Sequence, residues 1–469
     1  MKVRRRVVLT VIALALLLAG SGAARSGAIE LRAGTAKAVI TPADFKGRIT
    51  VMGNPARTVR HDIYARVLTL FDGEHRLAIV TYDLNCLDVA TPILRKRVRD
   101  ELGLDPAYLI LQATHNHAAP IQIVPANFDY GCWLADRIFN LIKEAMAKEQ
   151  GPARVWFGAG PGIHLRSVGG HPVDNEVQLL KVTRGNDTVA LLFNSPSHPL
   201  QSTFWRIEAG HPGFAVEEVE RQTPGALAMY TDAAGGNQFT WHGAIMIAPE
   251  FEVKLVGQSL GRAVMRIARG PMQDVTGPIA SKLEVISLPL AAPLSYEEAK
   301  ALAAREKVPR DIGFVPYPHP DRETNWIRAL LDHYEQNIPF PTRTGDRVCT
   351  DDGFLVRALP VPRDFPCVYE ETIVSRIGPL RLVWMQGEVC APIGKAIKDH
   401  YRDQGPLMVS AYMGEHNLYI PTRNLVRRKA YQAQVIQIQY ASPVGWSEEV
   451  EDEMVKGVEK IVDEMLPPR

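Results

Sequence analysis

The stretch LILQATHNHAAP, residues 109–120, joins an apolar run to two histidines that are separated by a single asparagine. The run LILQA is rich in branched aliphatic residues, which favour a buried β-strand. On an extended chain, residues two apart point to the same face, so His115 and His117 are expected to meet where this strand ends. Paired imidazoles at that position are consistent either with a metal site or with two histidines that have no ligand.

Strand and helix signals alternate on both sides of this stretch. The segments ARVLTLF (65–71) and RLAIVTYD (76–83) are joined by DGEH, which predicts a hairpin. The segments PILRKRVRDELG (92–103) and WLADRIFNLIKEAMAKE (133–149) have helical signals, and the second places its apolar residues on one stripe. This alternation, with hairpins included, predicts an α/β fold in which mixed β-sheets are flanked by α-helices.

Polar side chains also follow three other apolar runs. His198 follows the apolar run in VALLFNSPSHPL, and Glu388 follows the one in PLRLVWMQGEVC. His416 and Tyr419 follow the apolar run in PLMVSAYMGEHNLYIPTR. Ligands bind at the mouths of strands in α/β sheets, so these side chains are predicted to converge with His115 on one site. Two alternatives remain open: Glu388 caps the helix that follows it, or His416 replaces Tyr419 as a ligand.

The N-terminus has the organisation of a secretory signal peptide. The basic cluster MKVRRR is followed by the apolar run VVLTVIALALLLAG and then by small residues. An uncleaved membrane anchor is the second interpretation, because the apolar run is shorter than the roughly 20 residues that span a bilayer. We therefore expect a signal peptide over residues 1–28, a secreted or periplasmic protein, and one mature domain over residues 29–469.

The composition narrows the possible partners and cross-links. Lys and Arg total 53 and Asp and Glu total 52, with no basic stripe, so nucleic acid is not expected as a partner. There are only five cysteines, and at most one disulfide is expected, between Cys349 and Cys367. The segment over residues 313–367 is rich in proline and aromatic residues, and it forms either an ordered surface excursion or a wall or lid over the site.

A series of motifs resembles the neutral/alkaline (non-lysosomal) ceramidase family. Members carry ATHTHSGP where this chain has ATHNHAAP, and AGTAKAVITP and RHDIYARVLTLFDG are similar to two further family segments. NSPSHPL, EAGHPGFA, MQGEVCAPIG and NLYIPTR follow in the family's order, so the resemblance runs from about residue 32 to about residue 435. It implies the ceramidase-like catalytic domain without the family's additional C-terminal immunoglobulin-like domain.

The resemblance also implies a metal, a reaction and a substrate class. It places a Zn²⁺ ion on His115, His198, Glu388 and Tyr419. Nitrogen and oxygen ligands of this kind suit zinc, which activates a water for hydrolysis of an N-acyl amide in a ceramide-like lipid. His117 and Tyr431 are the implied catalytic residues, which stabilise the oxyanion or give a proton to the leaving amine. The expected partner is a small-molecule or lipid substrate, with transient contact with a membrane surface.

One motif departs from the family. GGNQFT stands where the ceramidases have GD.SP, so Phe239 replaces the family's serine and Asn237 its aspartate. A phenylalanine cannot be a nucleophile, so either the zinc-activated water is sufficient or the substrate is not ceramide. The leading prediction is a secreted zinc amidohydrolase. The alternatives are a zinc hydrolase of a different amide or ester substrate and a secreted, non-catalytic metal-binding protein.

Overall fold

The computed structural model describes residues 30–87, 89–122, 124–241, 246–307, 322–340, 343–344, 367–414 and 418–466. Among these residues, none of the helices combines the length and the apolar character that a membrane span requires. The predicted signal peptide, Cys349, His416 and much of the segment over residues 313–367 lie outside the described residues, so the hypotheses about them stay predictions.

The described residues form twenty strands and ten α-helices, numbered here in chain order. The strands are β1 (Arg32–Val39), β2 (Thr58–Val59), β3 (Tyr64–Phe71), β4 (Arg76–Tyr82), β5 (Leu109–Ala113), β6 (Ala153–Pro161), β7 (Leu165–Ser167), β8 (Glu176–Arg184), β9 (Asp187–Ser195), β10 (Arg206–Ile207), β11 (Leu227–Asp232), β12 (Gln238–Thr240), β13 (Gln273–Asp274), β14 (Ile279–Pro289), β15 (Arg343–Thr344), β16 (Cys367–Ile377), β17 (Leu380–Gln386), β18 (Glu388–Val389), β19 (Leu407–Met413) and β20 (Tyr419–Ile420). The helices are α1 (Ala90–Leu102), α2 (Phe128–Ala147), α3 (Gly210–Gln222), α4 (Glu250–Arg269), α5 (Tyr296–Glu306), α6 (Arg322–Glu335), α7 (Ala391–His400), α8 (Arg423–Arg427), α9 (Tyr431–Ile438) and α10 (Val450–Glu464).

Two large sheets organise the chain, and both combine parallel and antiparallel pairs. The first has nine strands in the order β1-β3-β4-β5-β19-β17-β16-β14, with β15 paired to β16. Its β4/β5 and β17/β19 pairs are parallel, whereas β5 and β19 are antiparallel. The second has the order β11-β9-β8-β6-β13, in which only the β11/β9 pair is parallel. The predicted α/β class with mixed sheets is confirmed.

The two sheets pack face to face, and helices cover their outer faces. In β3, Val67 lies in an apolar layer with residues of α1, α2, α7 and α10, whereas Leu68 lies in the layer between the sheets. In β8, Leu180 faces that central layer and Leu179 faces α3 and α4. Successive side chains of a strand point to opposite faces, so four layers bury both faces of both sheets. This double burial explains the continuous apolar runs in the sequence.

The local predictions around the opening stretch are also confirmed. ARVLTLF and RLAIVTYD form β3 and β4, which pair antiparallel. The predicted stripe of α2 is buried, with Leu134, Ile138, Leu141, Ile142 and Ala145 all inside the core. The segment over residues 313–367 contributes α6, which packs against α5 and α9.

Buried amide groups join the two sheets close to the candidate site. Asn194 of β9 donates its side-chain N–H to the carbonyl oxygen of Val409 in β19, at 2.9 Å. The side-chain oxygen of Gln178 in β8 accepts the backbone N–H of the same residue, also at 2.9 Å. Satisfied buried polar groups specify one arrangement of the elements that carry them. The end of β9, which leads to His198, is therefore fixed beside the strand that leads to Tyr419.

Candidate metal centre

His115 and His117 lie in the loop that follows β5. The backbone N–H of Thr114 donates to the carbonyl oxygen of Tyr82 at 3.0 Å, so the contact with β4 continues beyond the last residue of β5. His115 then turns into the left-handed region, with φ 52°. The prediction that the backbone is extended is therefore wrong at His115, because β5 ends two residues earlier, at Ala113. The two imidazoles nevertheless meet, with ring centroids 4.5 Å apart.

One carboxylate oxygen of Glu388 contacts two imidazoles. Oε2 lies 3.0 Å from Nε2 of His198 and 3.3 Å from Nε2 of His115. The ligand atoms of these three buried residues all lie within 4.8 Å of one another. Ligands that bind zinc at about 2.0–2.2 Å are at most about 4.4 Å apart, so little movement is needed for all three to bind one ion.

His198 has the tautomer that a metal ligand requires. Its Nδ1 lies 3.2 Å from the carbonyl oxygen of Gly235, which can only accept a hydrogen bond, so Nδ1 carries the ring proton. The lone pair on Nε2 then faces Oε2 of Glu388 at 3.0 Å and the hydroxyl oxygen of Tyr419 at 2.9 Å. Donor atoms gathered in this way fit a divalent cation among them. The cluster of His115, His198 and Glu388 could therefore hold a metal ion.

The electrostatics of the cluster keep Glu388 ionised. Burial alone raises the pKa of its carboxyl, but the electrostatic interactions with the neighbouring imidazoles of His115 and His198 outweigh burial and hold that pKa well below its usual range. Burial lowers the pKa of His115, despite the opposing effect of Glu388. The alternative that Glu388 caps a helix finds no support, because α7 begins after Cys390 without a side-chain cap.

Tyr419 lies beside the three clustered ligand atoms. It is buried in β20, which pairs with β18 so that Tyr419 is directly opposite Glu388. Its hydroxyl oxygen already contacts the nitrogen of His198 that faces the cluster. A phenol oxygen at this distance can join the two imidazoles and the carboxylate around one ion.

The two predicted catalytic residues are placed differently. His117 is buried beside the cluster and stacks on His198, with ring centroids 6.1 Å apart, and its Nδ1 has no hydrogen-bond partner among the described residues. Tyr431 begins α9 and is 45% exposed. Its ring centroid is 6.1 Å from that of Tyr419, and its hydroxyl accepts a hydrogen bond from Gln439. His117 is thus next to the three ligand atoms, whereas Tyr431 lies outside them, beyond Tyr419.

The GGNQFT segment lines the cluster. The Phe239 ring is buried with its centroid 4.9 Å from that of His198, so an apolar side chain lies against this imidazole. Asn237 accepts the backbone N–H of Ala391 at 2.9 Å, which ties this segment to the start of α7. A Cβ atom on Gly236 would lie 2.4 Å from the carbonyl oxygen of Glu388, so only glycine allows this close approach.

Two residues of the site are missing from the sequence-based prediction. Asn85 follows β4, and its side-chain amide lies 3.0 Å from Nδ1 of His115. Tyr412 in β19 has φ 62°, its ring centroid is 4.5 Å from that of His115, and its buried hydroxyl has no hydrogen-bond partner among the described residues. Both lie at or beyond the end of an apolar run, which is the signal that identified the ligands.

Together, the fold and the site define a four-layer α/β protein with a buried His-His-Glu cluster that could hold a metal ion. Its fold is that of the neutral ceramidases, as the sequence motifs predict. The chain is similar to the crystal structure of neutral ceramidase from Pseudomonas aeruginosa, with 16% identity and a TM-score of 0.65 over 94% of this chain and 76% of that chain. A structure of ceramidase complexed with C2 gives the same values. No family model and no curated protein matches the sequence.

Proposed function

We propose that this chain is a zinc-dependent amidohydrolase of the ceramidase type, which cleaves an N-acyl amide in a ceramide-like lipid. The observation that carries the proposal is the contact of one Glu388 oxygen with Nε2 of both His115 and His198, at 3.3 and 3.0 Å. Two imidazoles and a carboxylate, with the Tyr419 phenol beside them, form a ligand set that suits Zn²⁺. When bound, zinc supplies a Lewis acid that polarises the acyl carbonyl and makes water acidic.

The protein's own contribution begins with the shape of the site. His115 and His198 are no more than 2% exposed, and Glu388 is 4% exposed, so bulk water has little access to the ligand atoms. Charge–charge interactions are stronger in such a buried site than in water. The buried ring of Phe239 restricts the space beside His198 further.

His117 is the residue that we assign to proton transfer. Burial lowers the pKa of its imidazole well below the usual value, with smaller effects of the same sign from His115 and His198. The imidazole is therefore neutral at pH 7 and can accept a proton from the attacking water at its unpartnered Nδ1. It would return that proton to the leaving nitrogen as the carbon–nitrogen bond breaks. Tyr431, on the exposed side of Tyr419, would contact the substrate during this step.

The setting of the reaction is part of the same proposal. The N-terminal sequence supports a secreted or periplasmic protein with a cleaved signal peptide over residues 1–28. A lipid substrate would bring the enzyme into transient contact with a membrane surface. The similarity in fold to neutral ceramidase supports this substrate class.

A second candidate is a zinc hydrolase of a different amide or of an ester. Phe239 favours it, because this residue brings a bulky apolar ring to within 4.9 Å of the His198 ring. A secreted protein that binds the metal without catalysing a reaction is the third candidate. Activity measurements separate the first two candidates, and the third predicts metal binding without any turnover.

The test combines metal analysis with a substrate panel. Purified protein should contain one zinc per chain and should hydrolyse ceramides or other N-acyl amides faster than simple esters. Removal of the metal with a chelator should abolish turnover, and added zinc should restore it. His198→Ala should lose both zinc and turnover, because its Nε2 is one of the three clustered ligand atoms.

The matched control is His400→Ala, which removes a half-exposed imidazole at the end of α7. This variant should keep both zinc and turnover. Zinc retained by His198→Ala would show that the ligand set is wrong. Turnover that survives the chelator would overturn the hydrolytic mechanism.

A further inference from the structure

Asn85 lies beside the candidate metal centre and contacts the edge of the His115 ring that faces away from Glu388. Its side-chain nitrogen is 3.0 Å from Nδ1 of His115, and its side-chain oxygen is 4.0 Å from Sγ of Cys86. Asn85 is 3% exposed and His115 is fully buried, so bulk water does not compete for this contact. The amide is therefore in a position to determine which nitrogen of His115 carries the ring proton.

The loops that carry Asn85 and His115 are held together as one unit. The backbone N–H of Asn116 donates to the carbonyl oxygen of Leu84 at 3.1 Å. Its side-chain nitrogen donates to the carbonyl oxygen of Asp83 at 3.0 Å. These bonds join the residues directly before Asn85 to the residue directly after His115, so the backbone holds the amide close to the imidazole.

The chemistry of the contact allows two arrangements. When the amide nitrogen faces His115, it donates to Nδ1, so the ring proton is on Nε2 and points to Glu388. When the amide oxygen faces His115, Nδ1 donates to it and Nε2 has a free lone pair. Only the second arrangement leaves Nε2 able to bind a metal ion. The two ends of an amide have nearly the same size, so a half-turn of the side chain exchanges the arrangements and changes which end of the amide faces Sγ of Cys86.

We propose that Asn85 is a positioning residue for His115, and that metal binding is linked to the orientation of the Asn85 amide with its oxygen towards Nδ1. This inference rests on the proposed zinc centre and assigns to it a partner outside the ligand set. A ligating histidine usually donates its other N–H to a carboxylate or carbonyl group, which fixes the tautomer and the ring orientation. In this chain the side-chain amide of Asn85 accepts that N–H when its oxygen faces Nδ1 of His115. The same amide can also turn its nitrogen towards Nδ1, and His115 then cannot bind the metal through Nε2.

The test compares the zinc affinity of Asn85→Leu and Asn85→Asp with that of the unmodified protein. Affinity is measured by competition with a chromogenic chelator at fixed pH, which does not depend on turnover. Asn85→Leu cannot accept from Nδ1, and we expect zinc binding about 10–100-fold weaker. Asn85→Asp can only accept, and we expect binding at least as tight as in the unmodified protein. Asn186→Asp, in the exposed turn between β8 and β9, controls for the added negative charge.

The outcomes separate this inference from the proposed function. If Asn85→Leu binds zinc as tightly as the unmodified protein, Asn85 does not position His115. If Asn85→Asp is as weak as Asn85→Leu, the amide acts as a donor and the proposed orientation is wrong. Either result leaves the zinc centre in place. If the unmodified protein binds no zinc, the proposed function fails together with the inference.

Discussion

The imidazole of His211 is enclosed at the start of α3. It has no exposed surface, and its Nδ1 accepts the backbone N–H of Leu200 at 2.8 Å, so the ring proton is on Nε2. That nitrogen has no hydrogen-bond partner among the described residues. Burial lowers the pKa of His211 from its ordinary value of 6.5 to about 3. The native protein therefore keeps this imidazole neutral at pH values where an exposed histidine is charged.

This lowered pKa makes His211 a source of acid sensitivity. As the pH falls below 6.5, the unfolded chain binds a proton at this residue, whereas the native protein does not until about pH 3. Protonation of this residue therefore leaves the free energy of unfolding unchanged above pH 6.5, and that free energy decreases progressively as the pH falls from 6.5 towards 3. At about 1.4 kcal/mol for each pH unit, the loss from this residue is about 2 kcal/mol at pH 5 and about 5 kcal/mol at pH 3.

The variant that tests this reasoning is His211→Asn, because an asparagine side-chain oxygen can also accept the N–H of Leu200. The free energy of unfolding is measured in urea for both proteins at pH 7.5 and pH 5, with chelator present to remove any effect of metal. The difference at pH 7.5 gives the packing cost of the substitution. Between the two pH values, the unmodified protein should lose about 2 kcal/mol more than the variant.

Other buried histidines do not interfere with this comparison. The pKa values of His115 and His117 are lowered in the same direction, so both proteins should become less stable in acid. Their contribution is common to the two proteins and cancels in the difference. Equal losses of stability in His211→Asn and the unmodified protein would refute the argument that burial holds His211 neutral.

Two further substitutions test the surroundings of the cluster. Phe239→Ser should leave the zinc content unchanged. It should raise the ratio of kcat/KM for bulky N-acyl substrates to kcat/KM for small ones about tenfold, because the Phe239 ring lies 4.9 Å from the His198 ring. An unchanged ratio would contradict this expectation. Gly236→Ala should cost about 1–3 kcal/mol in thermal unfolding and lower zinc affinity, since its Cβ would meet the Glu388 carbonyl at 2.4 Å. Gly270→Ala, with its nearest atom at 3.4 Å, is the control and should change neither quantity.

The apolar runs of the sequence indicate which segments of the chain lead to the cluster. His115, His198 and Glu388 each lie within three residues of the end of a strand, and the ends of strands are where ligands bind in α/β folds. The strand before His198 belongs to the second sheet, so the cluster forms where the two sheets meet. The strand that precedes His115, β5, is buried on both faces, and this double burial explains why its sequence is an almost continuous apolar run. Periodicity therefore predicts the fold class and places these three residues after apolar runs, whereas the ligand set itself is implied by the resemblance to the ceramidases.

The detailed geometry could not be predicted in the same way. β5 pairs with β19 across about 300 residues of sequence, and no local pattern encodes a pairing between such distant segments. The register of β17 on β19 also shifts between Trp384 and Gln386, immediately before Glu388. Such a bulge changes the direction of the side chains that follow it. The contact between Asn85 and His115 likewise depends on two loops that only the folded backbone brings together.

Backbone strain gives independent support for function at this cluster. Among the described residues, six non-glycine positions have a positive φ, namely His115, Lys307, Asn337, Tyr412, Lys429 and Ala441. Of these six, only His115 and Tyr412 are buried. A left-handed non-glycine residue costs about 1–3 kcal/mol, and it persists where the surrounding structure holds it in place.

The two buried positions are not scattered through the core. They lie on different segments of the chain, yet their rings are in contact, with centroids 4.5 Å apart. A core that only needed to be stable would have little reason to concentrate two unfavourable conformations at one point. The strain instead lies at the cluster that could hold a metal ion, and strained residues of this kind concentrate at functional sites. The left-handed backbone at His115 and Tyr412 and the contact between their rings are properties of this chain itself, and they point to the same cluster as the similarity to the ceramidases does.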